Sequence, residues 1–550
     1  MEIKAISHLG RFKDIIKTLF KYGFDDVVER IDMPGKVLLE KIYTPHEHLT
    51  TWQRIRYTLE ELGPTFVKFG QVLSLRPDLI PLPLVLELQK LQDEVTAVPY
   101  EDIREVLQKN LTAPIEEIFE IFEEKPVAGA SLAQVHRAVL KEGRQAVAVK
   151  IQRPGIFKKI DTDLYILSIL ARNLHERMEN IEIYNLPELV EEFKKNLMYE
   201  LDFRRETRNM KISQGNLSQM ENIRIPRVFD EFCTEQMITM ELIEGVRLKD
   251  LEPQTLDERE SIARRGLQLT IKQILEDGFF HADPHPGNIF IVDKKVICLL
   301  DWGTVGRLTK ETRFELTDFL KAVVERDSEG ILEILLRICS HEEAVNERLL
   351  QREILDILDA CHNVPLGEVN LSDLLFEITE LLRKHRIRLP SDMAIMIKTL
   401  MTAEGTARQL YPGLNVVAEA EPFVEKLALE RWKPENLFRN FRRSLSRMYN
   451  MQKKVPVSLQ RIVGKVERGE LTIQFQHKNL EELQDTLENI ANRVTIALII
   501  AAMIIGSSMV ITTGVRPLLF GYPAFGIIGY VISGVMGLWL VYNILRARKF

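Results

Sequence analysis

One run of residues limits the fold of this chain more than any other. It is His281-Ala282-Asp283-Pro284-His285-Pro286-Gly287-Asn288, and thirteen residues after Asn288 comes Asp301-Trp302-Gly303. An Asp, an Asn five residues on, a short hydrophobic strand and then Asp-aromatic-Gly suit phosphate and magnesium chemistry. Asp283 offers one carboxylate near a nucleophile. Asn288 and Asp301 offer a carbonyl oxygen and a second carboxylate to a hard cation. A plainer reading has Asp and Asn serving only the turns of a Pro/Gly loop. Three metal-competent residues at this spacing outweigh it.

Residues upstream extend the theme. Ile115 to Lys150 has the pattern strand, loop, strand. The loop holds Ala128, Gly129, Ala130 and Ser131, small residues that let backbone N–H groups approach phosphates closely. Ala146-Val147-Ala148-Val149-Lys150 is an alternating strand that ends in a lysine suited to a nucleotide's phosphates. Earlier, Thr51 to Gln92 is a helical stretch in which Lys68 and Gln71, three apart, share one face. Asp163 to Asn180 and Leu186 to Met210 form two helices. The second carries Glu200-Leu201-Asp202, then Glu206 and Asn209. A glutamate there can pair with Lys150, or can be a surface residue of a charged helix. Met237 to Gly245 is a strand ending in Glu244-Gly245, and Ser261 to Gly278 is a long helix before the opening motif. Thr309 to Glu430 is predominantly helical, with no Ala-Pro-Glu segment after Asp301.

At 550 residues the chain needs two or three units, and 45% hydrophobic with 28% charged residues describes a globular protein. A net charge of −7 argues against a nucleic-acid partner bound over the whole surface. Cys233, Cys298, Cys339 and Cys361 are scattered, which suits buried thiols in a reducing compartment and no zinc or disulfide framework. Met1 to Arg30 is an amphipathic basic helix, fit either to lie on a membrane surface or to dock as an ordinary helix.

The C-terminus carries a separate signal. Val494 to Val515 has no charge over 22 residues, and Phe525 to Leu545 has none over 21. At ~1.5 Å per residue each spans a hydrocarbon core of about 30 Å, so the pair is expected to be a transmembrane hairpin. Arg493 precedes it, Arg546, Arg548 and Lys549 follow it, and the connector holds only Arg516. That asymmetry puts the large domain and both flanks in the cytoplasm. Gly529, Ser533 and Gly537 form a small-residue stripe suited to packing on the first span or on a second copy of the chain, as in a homodimer. Arg431 to Lys465 is basic with Glu435 as its only acid, matching anionic headgroups or a solvated face. Glu467 to Lys478 alternates like a short hairpin, and Asn479 to Arg493 is helical.

Taken in order, these pieces resemble the UbiB family of atypical, protein-kinase-like proteins, which includes the mitochondrial coenzyme Q kinases. Lys68-Phe69-Gly70-Gln71 matches its Lys-x-Gly-Gln signature, Glu200-Leu201-Asp202 its Glu-x-Asp signature, and His281 to Asn288 its nucleotide-site signature. The resemblance implies an α+β, kinase-like two-lobed fold with a helical extension at 1–113. The small lobe with inserted helices would span 114–245 and the large lobe 246–430. A basic juxtamembrane segment at 431–493 and two transmembrane helices at 494–545 would follow. Lys150 would be the nucleotide lysine and Glu206 its partner. Ala128 to Ser131 would line the nucleotide, Asp283 would be catalytic, and Asn288 and Asp301 would be magnesium ligands. Lys68, Gln71, Glu200 and Asp202 would belong to an element folded over the pocket. Gly129 departs from a run of three alanines, and Trp302 stands where the family has Phe.

The implied activity is ATP- and Mg2+-dependent phosphoryl transfer or ATP hydrolysis at the inner (cytoplasmic) membrane, in isoprenoid-quinone biosynthesis or lipid handling. The implied partners are the lipid membrane, a quinone or lipid ligand and quinone-biosynthesis proteins. Two rivals stay open. One is a small-molecule kinase of the aminoglycoside and choline kinase type. The other is a non-catalytic membrane scaffold whose conformation nucleotide sets.

Overall fold

The computed structural model describes residues 2–24, 49–74, 76, 78–91, 97–129, 131–177, 185–251, 255–341, 345–360, 371–431, 480–513, 516–519 and 522–547. Ala130, Cys361, the basic segment beyond Arg431 and the alternating stretch at Glu467 to Lys478 lie outside the described residues. The chain forms two compact units, Met1–Asn440 and Phe441–Phe550.

The first unit is built on an antiparallel sheet. Its strands are β1 (Phe119–Phe122), β2 (Ala128–Gly129), β3 (Ala133–Leu140), β4 (Ala146–Gln152) and, after a short β5 (Ile223–Arg224), β6 (Met237–Glu241). The order is β1-β3-β4-β6, with β2 added to β3. Strand β4 shows why the alternating sequence matters. Successive side chains of a strand point to opposite faces. Val147, Val149 and Ile151 enter one apolar core with Ile103, Leu107, Phe119 and Met237, while Ala148 joins another with Phe203, Met210 and Trp302. Lys150 therefore projects from the second face. Helix Tyr100–Asn110, within the expected 1–113 extension, supplies Ile103 and Leu107 to the first core and so packs against the small-lobe sheet.

The N-terminal helix Glu2–Lys21 docks: Ile15, Ile16 and Phe20 are buried against Leu62, Phe66, Ile166 and Leu170. Its Arg11 reaches the fully buried Asp163 through Nε at 2.7 Å, and Thr65 Oγ1 donates to the same carboxylate at 2.7 Å. The stretch expected as one helical run after Thr51 is three helices, Thr51–Leu62, Pro64–Leu73 and Leu82–Leu88. Gly63 breaks the first pair with φ of +94°, and Pro64 opens the next helix, where its missing N–H costs nothing.

The two helices expected between Asp163 and Met210 are also three: Ile156–Arg177, Leu186–Glu200 and Phe203–Leu217. The break falls at Leu201-Asp202, because Asp202 is the N-cap of the third helix and accepts from Arg204 N at 3.2 Å. Phe203, Glu206, Asn209, Met210, Ser213 and Leu217 are buried at helical spacing, so this helix turns Glu206 inward.

The large lobe follows β7 (Val246–Arg247). Strands β8 (Phe279–His281), β9 (Ile289–Val292), β10 (Val296–Leu299) and β11 (Val305–Arg307) form two small sheets, β5-β10-β9-β7 and β8-β11. Gly245 crosses close to β9, where a Cβ would sit 2.8 Å from the Ile291 carbonyl oxygen. Helices Leu256–Lys272, Lys310–Glu325, Ser328–Ile338, Glu347–Ala360, Leu371–Lys384, Ser391–Leu410 and Val416–Arg431 surround a core that includes Leu267, Leu316, Ile354, Leu382 and Met396.

In the second unit, helix Leu480–Thr512 packs on helix Ala524–Ala547. Val494–Thr512 is long and apolar enough to cross a bilayer, and Ala524–Leu540 is apolar but shorter. The small-residue stripe divides. A Cβ at Gly529 would overlap Ser507 Oγ, and Ser507 and Ser533 are buried, whereas a Cβ at Gly537 would meet nothing within 4 Å.

Candidate active site

Lys150 stands at the centre of a charged cluster. Its Nζ donates to Oε1 and Oε2 of Glu206, each at 2.9 Å, and to Oδ1 of Asp301 at 3.1 Å. The ring of Phe203 lies 5.4 Å from Nζ and adds a cation–π contact. Burial alone would lower the lysine's pKa, but Asp301 and then Glu206 more than offset it, so the ammonium stays charged. Lys150 is also the main cause that holds the Asp301 carboxyl well below the usual carboxylate range. Glu206, 95% buried, goes the other way. Burial raises it, and the neighbouring Asp301 charge adds to that, to about 7 in spite of Lys150. Both Glu206 oxygens nonetheless accept from Nζ, which is the arrangement of its ionised form.

Asp301 has φ of +57°, a left-handed backbone that Asp tolerates better than most residues. That conformation turns the chain sharply between β10 and β11. The next residue, Trp302, is fully buried; its indole Nε1 donates to Leu299 O at 3.2 Å, and its own carbonyl accepts from Asn209 Nδ2 at 3.0 Å. Helix Phe203–Leu217 thus holds both ends of the cluster, Lys150 through Glu206 and the Asp-Trp-Gly turn through Asn209. A helix begins at Lys310, nine residues after Asp301, and leaves no length for a long loop after the turn.

The Asp283 loop joins β8 to β9. His281 is buried, and burial pushes its pKa down. Its Nε2–H donates to Leu300 O at 2.9 Å, which assigns Nδ1 as the acceptor of the Asp283 backbone N–H at 3.1 Å. This neutral ring pins the start of the loop to the chain beside Asp301. At the other end, Leu300 N donates to Asn288 O at 3.0 Å, next to the Ile289–Leu299 register of the β9–β10 hairpin. That register sets Asn288 beside the residue before Asp301. Asn288 Nδ2 is spent on Asp283 O at 3.3 Å, leaving its amide oxygen as the end for a cation.

The residues fit a magnesium–nucleotide complex. Magnesium is usually held by one or two protein oxygens plus substrate phosphates and water. Asp301, ionised and 52% open, with the Asn288 oxygen supplies such a pair. Among the described residues no three His, Cys, Asp or Glu side chains form a self-sufficient metal cage.

Other expected residues have different neighbours. Lys68 Nζ pairs with Glu200 at 2.9 Å, and Lys68 also contributes to the low pKa of Asp301. Gln71, on the same helix, turns away and donates to Leu91 O at 3.3 Å; Asp202 caps its helix and pairs with Arg204. The structure therefore brings Lys68 and Glu200 to the cluster and leaves Gln71 and Asp202 in local roles. Ala128 and Gly129 are exposed on β2, in a row that runs Ala128, Val135, Lys150, Ile238 across the sheet, and Ser131 is buried.

One contact has no counterpart in the sequence reading. Lys398 Nζ, on helix Ser391–Leu410, donates to Asp283 Oδ1 at 3.1 Å. His285 Nε2 lies 3.8 Å from the other oxygen. Burial raises Asp283, but Lys398 and then His285 outweigh it, and its pKa falls below the ordinary value. Nothing local at Lys398 signals this, since it sits 115 residues from Asp283 in a stretch that is merely helical.

Residues 90–335 match the model of the ABC1 atypical kinase-like domain, 354–415 the UbiB helical domain, and 478–546 the ABC1/UbiB kinase-like C-terminal domain. A Clostridium pasteurianum protein, described as an uncharacterized protein in the hydrogenase 1 5' region, is 34% identical over 544 residues, 98% of this chain and 99% of that one. The probable protein kinase UbiB of Cellvibrio japonicus is 32% identical over 442 residues, 79% of this chain and 80% of that one. The chain belongs to the UbiB family of atypical kinases. The probable protein kinase UbiB of Pseudomonas aeruginosa is likewise 32% identical, over 84% of this chain and 89% of that one. A solved complex of Rv3197 with erythromycin from Mycobacterium tuberculosis is similar at 23% identity and a TM-score of 0.47, over 66% of this chain and 93% of that one. The fold is kinase-like. Lys150, Glu206, Asp283, Asn288 and Asp301 all fall in the kinase-like match, Lys398 falls in the UbiB helical domain, and Lys68 precedes all three family-model matches.

Proposed function

We propose that this UbiB-family chain is a membrane-anchored atypical kinase or ATPase that binds Mg·ATP and supports isoprenoid-quinone biosynthesis or lipid handling. The observation that carries the reading is Lys150, shared between Glu206 at 2.9 Å and Asp301 at 3.1 Å while Asp283 and Asn288 stand on the adjoining loop. Lys150 neutralises phosphate oxygens and Glu206 keeps its ammonium aimed. Asp283 orients a water or substrate hydroxyl and accepts its proton. Asn288 and Asp301 would hold magnesium, which would supply further charge neutralisation on the phosphates. The names of the relatives from Cellvibrio and Pseudomonas, probable protein kinases, support the kinase class.

Membrane anchoring is supported by Val494–Thr512, whose 19 residues span about 28 Å, and by the apolar helix that packs on it. Leu498 and Leu538 are 66% and 75% exposed on this pair, surface that suits lipid better than water. The reading puts the catalytic unit on the cytoplasmic face, with a quinone or lipid as ligand and quinone-biosynthesis proteins as partners.

The full chain reconstituted in anionic nanodiscs is expected to bind and hydrolyse Mg·ATP, with turnover lost in Asp301→Asn. A deletion strain analysed for quinones and phospholipids, complemented with Asp283→Asn, reads the physiological role. No nucleotide binding by the wild type, or full turnover by Asp301→Asn, sinks the proposal.

A further inference from the structure

Helix Ser391–Leu410 touches the Asp283 loop through two successive residues. Thr399 is fully buried and its hydroxyl proton is shared between Ile395 O of its own helix at 2.8 Å and the Ala282 carbonyl at 3.1 Å; Lys398 donates to the Asp283 carboxylate at 3.1 Å. One residue grips the loop's backbone and the next its functional side chain. Among the described residues Lys398 is the one hydrogen-bond donor to that carboxylate, since the His285 ring at 3.8 Å is too distant. The helix is itself anchored at its start. Arg76, buried and held by both oxygens of Asp78 at 2.9 and 2.8 Å, donates to Leu389 O at 3.3 Å and to Ser391 Oγ at 3.4 Å.

An aspartate on an open loop has two soft side-chain torsions, and a proton acceptor must hold its place to within a fraction of an ångström. We propose that Lys398, supplied by the helical domain, is the positioning residue for Asp283. It sets the rotamer of the carboxylate by holding Oδ1, which leaves the other oxygen to take the nucleophile's proton. The inference rests on the phosphoryl-transfer reading above and adds a residue to it. In that step the nucleophile's oxygen bonds to the γ-phosphorus as the bond from phosphorus to the ADP oxygen breaks. The proton passes from the nucleophile to Asp283 and on to solvent. Lys398 keeps its own proton throughout.

A purely structural role for Lys398 is the bland alternative, and exposure weighs against it. The pair is 25% and 41% open to solvent, so it adds little to folding, and Thr399 already ties helix to loop. Lys398→Met should therefore fold.

The test is steady-state ATP turnover by the full chain in nanodiscs, with Mg·ADP affinity and melting temperature measured alongside. Lys398→Met is expected to lower kcat on the order of 10²-fold with KM for ATP and Mg·ADP affinity unchanged, and Lys398→Arg to recover most of the loss. With an active wild type, an unchanged kcat in Lys398→Met overturns the role of Lys398 alone. A loss carried by KM or by melting temperature, or one that Arg fails to rescue, overturns it equally. A wild type with no turnover instead removes the phosphoryl-transfer reading, and this inference with it.

Discussion

Replacing Lys68 by methionine keeps the length of the side chain and deletes the charge that meets Glu200. The pair is 2.9 Å long, with side chains 18% and 26% exposed. Two charges at that separation in a partly buried setting attract by several kcal/mol before desolvation, and surface pairs net at most about 1 kcal/mol. Discounting for the remaining solvent leaves about 1–2 kcal/mol holding helix Pro64–Leu73 against the end of helix Leu186–Glu200. If that contact keeps a cover closed over the Lys150 cluster, its loss shifts the cover by about 5- to 30-fold toward open, and Mg·nucleotide binds tighter by the same factor. The sign is diagnostic. Deleting a cation beside an anionic ligand should by charge alone weaken binding, so tightening can come only from release of the cover. Calorimetric titration of Mg·ADP into the full chain in nanodiscs measures it, with Glu200→Gln as the matched variant, expected to tighten as well. Unchanged or weaker binding by Lys68→Met refutes the reasoning.

Three further expectations concern the scaffold. A Cβ at Gly306 would lie 2.0 Å from Phe280 Cζ in the β8–β11 pair, so Gly306→Ala should cost about 1–3 kcal/mol by overpacking, read as a lower urea midpoint. Arg11→Ala leaves Asp163 fully buried with, among the described residues, only Thr65 as partner; a loss of about 3 kcal/mol is expected, and Arg11→Ala/Asp163→Asn should lose less. His136 is buried and neutral. Gln134 Nε2 donates to its Nε2 at 3.0 Å, and its Nδ1–H donates to Glu123 O at 2.8 Å. Burial pushes its pKa below the ordinary 6.5, so the unfolded chain binds this proton first. Its contribution is complete above pH 6.5 and is lost as pH falls toward the folded value. His136→Gln should flatten the fall of the urea midpoint between pH 7.5 and 5, and an unaltered slope counts against the assignment.

Local spacing made the centre of the site legible. The loop from His281 to Asn288 and the Asp-Trp-Gly turn are each a few residues long, so their backbone geometry follows from Pro, Gly, Asp and the strands between them. The alternation of β4 likewise dictated that Lys150 and Val149 face opposite sides. Boundaries were less legible. The run from Leu186 to Met210 has helical periodicity throughout, and the cap at Asp202 that divides it depends on one side chain bonding one N–H. That break matters, because it lets Glu200 meet Lys68 while Glu206, six residues on, meets Lys150.

By itself, then, the sequence determined the motif residues, the strand that carries the lysine and the apolar C-terminal helices, since each depends on contacts within a few residues. Only the tertiary structure decided which carboxylate each lysine meets, that Gln71 faces Leu91 instead of the cluster, and that Lys398 reaches Asp283 across 115 residues. Such contacts arise when distant segments share one core, and their side-chain partners depend on how whole helices pack, a property no local pattern encodes.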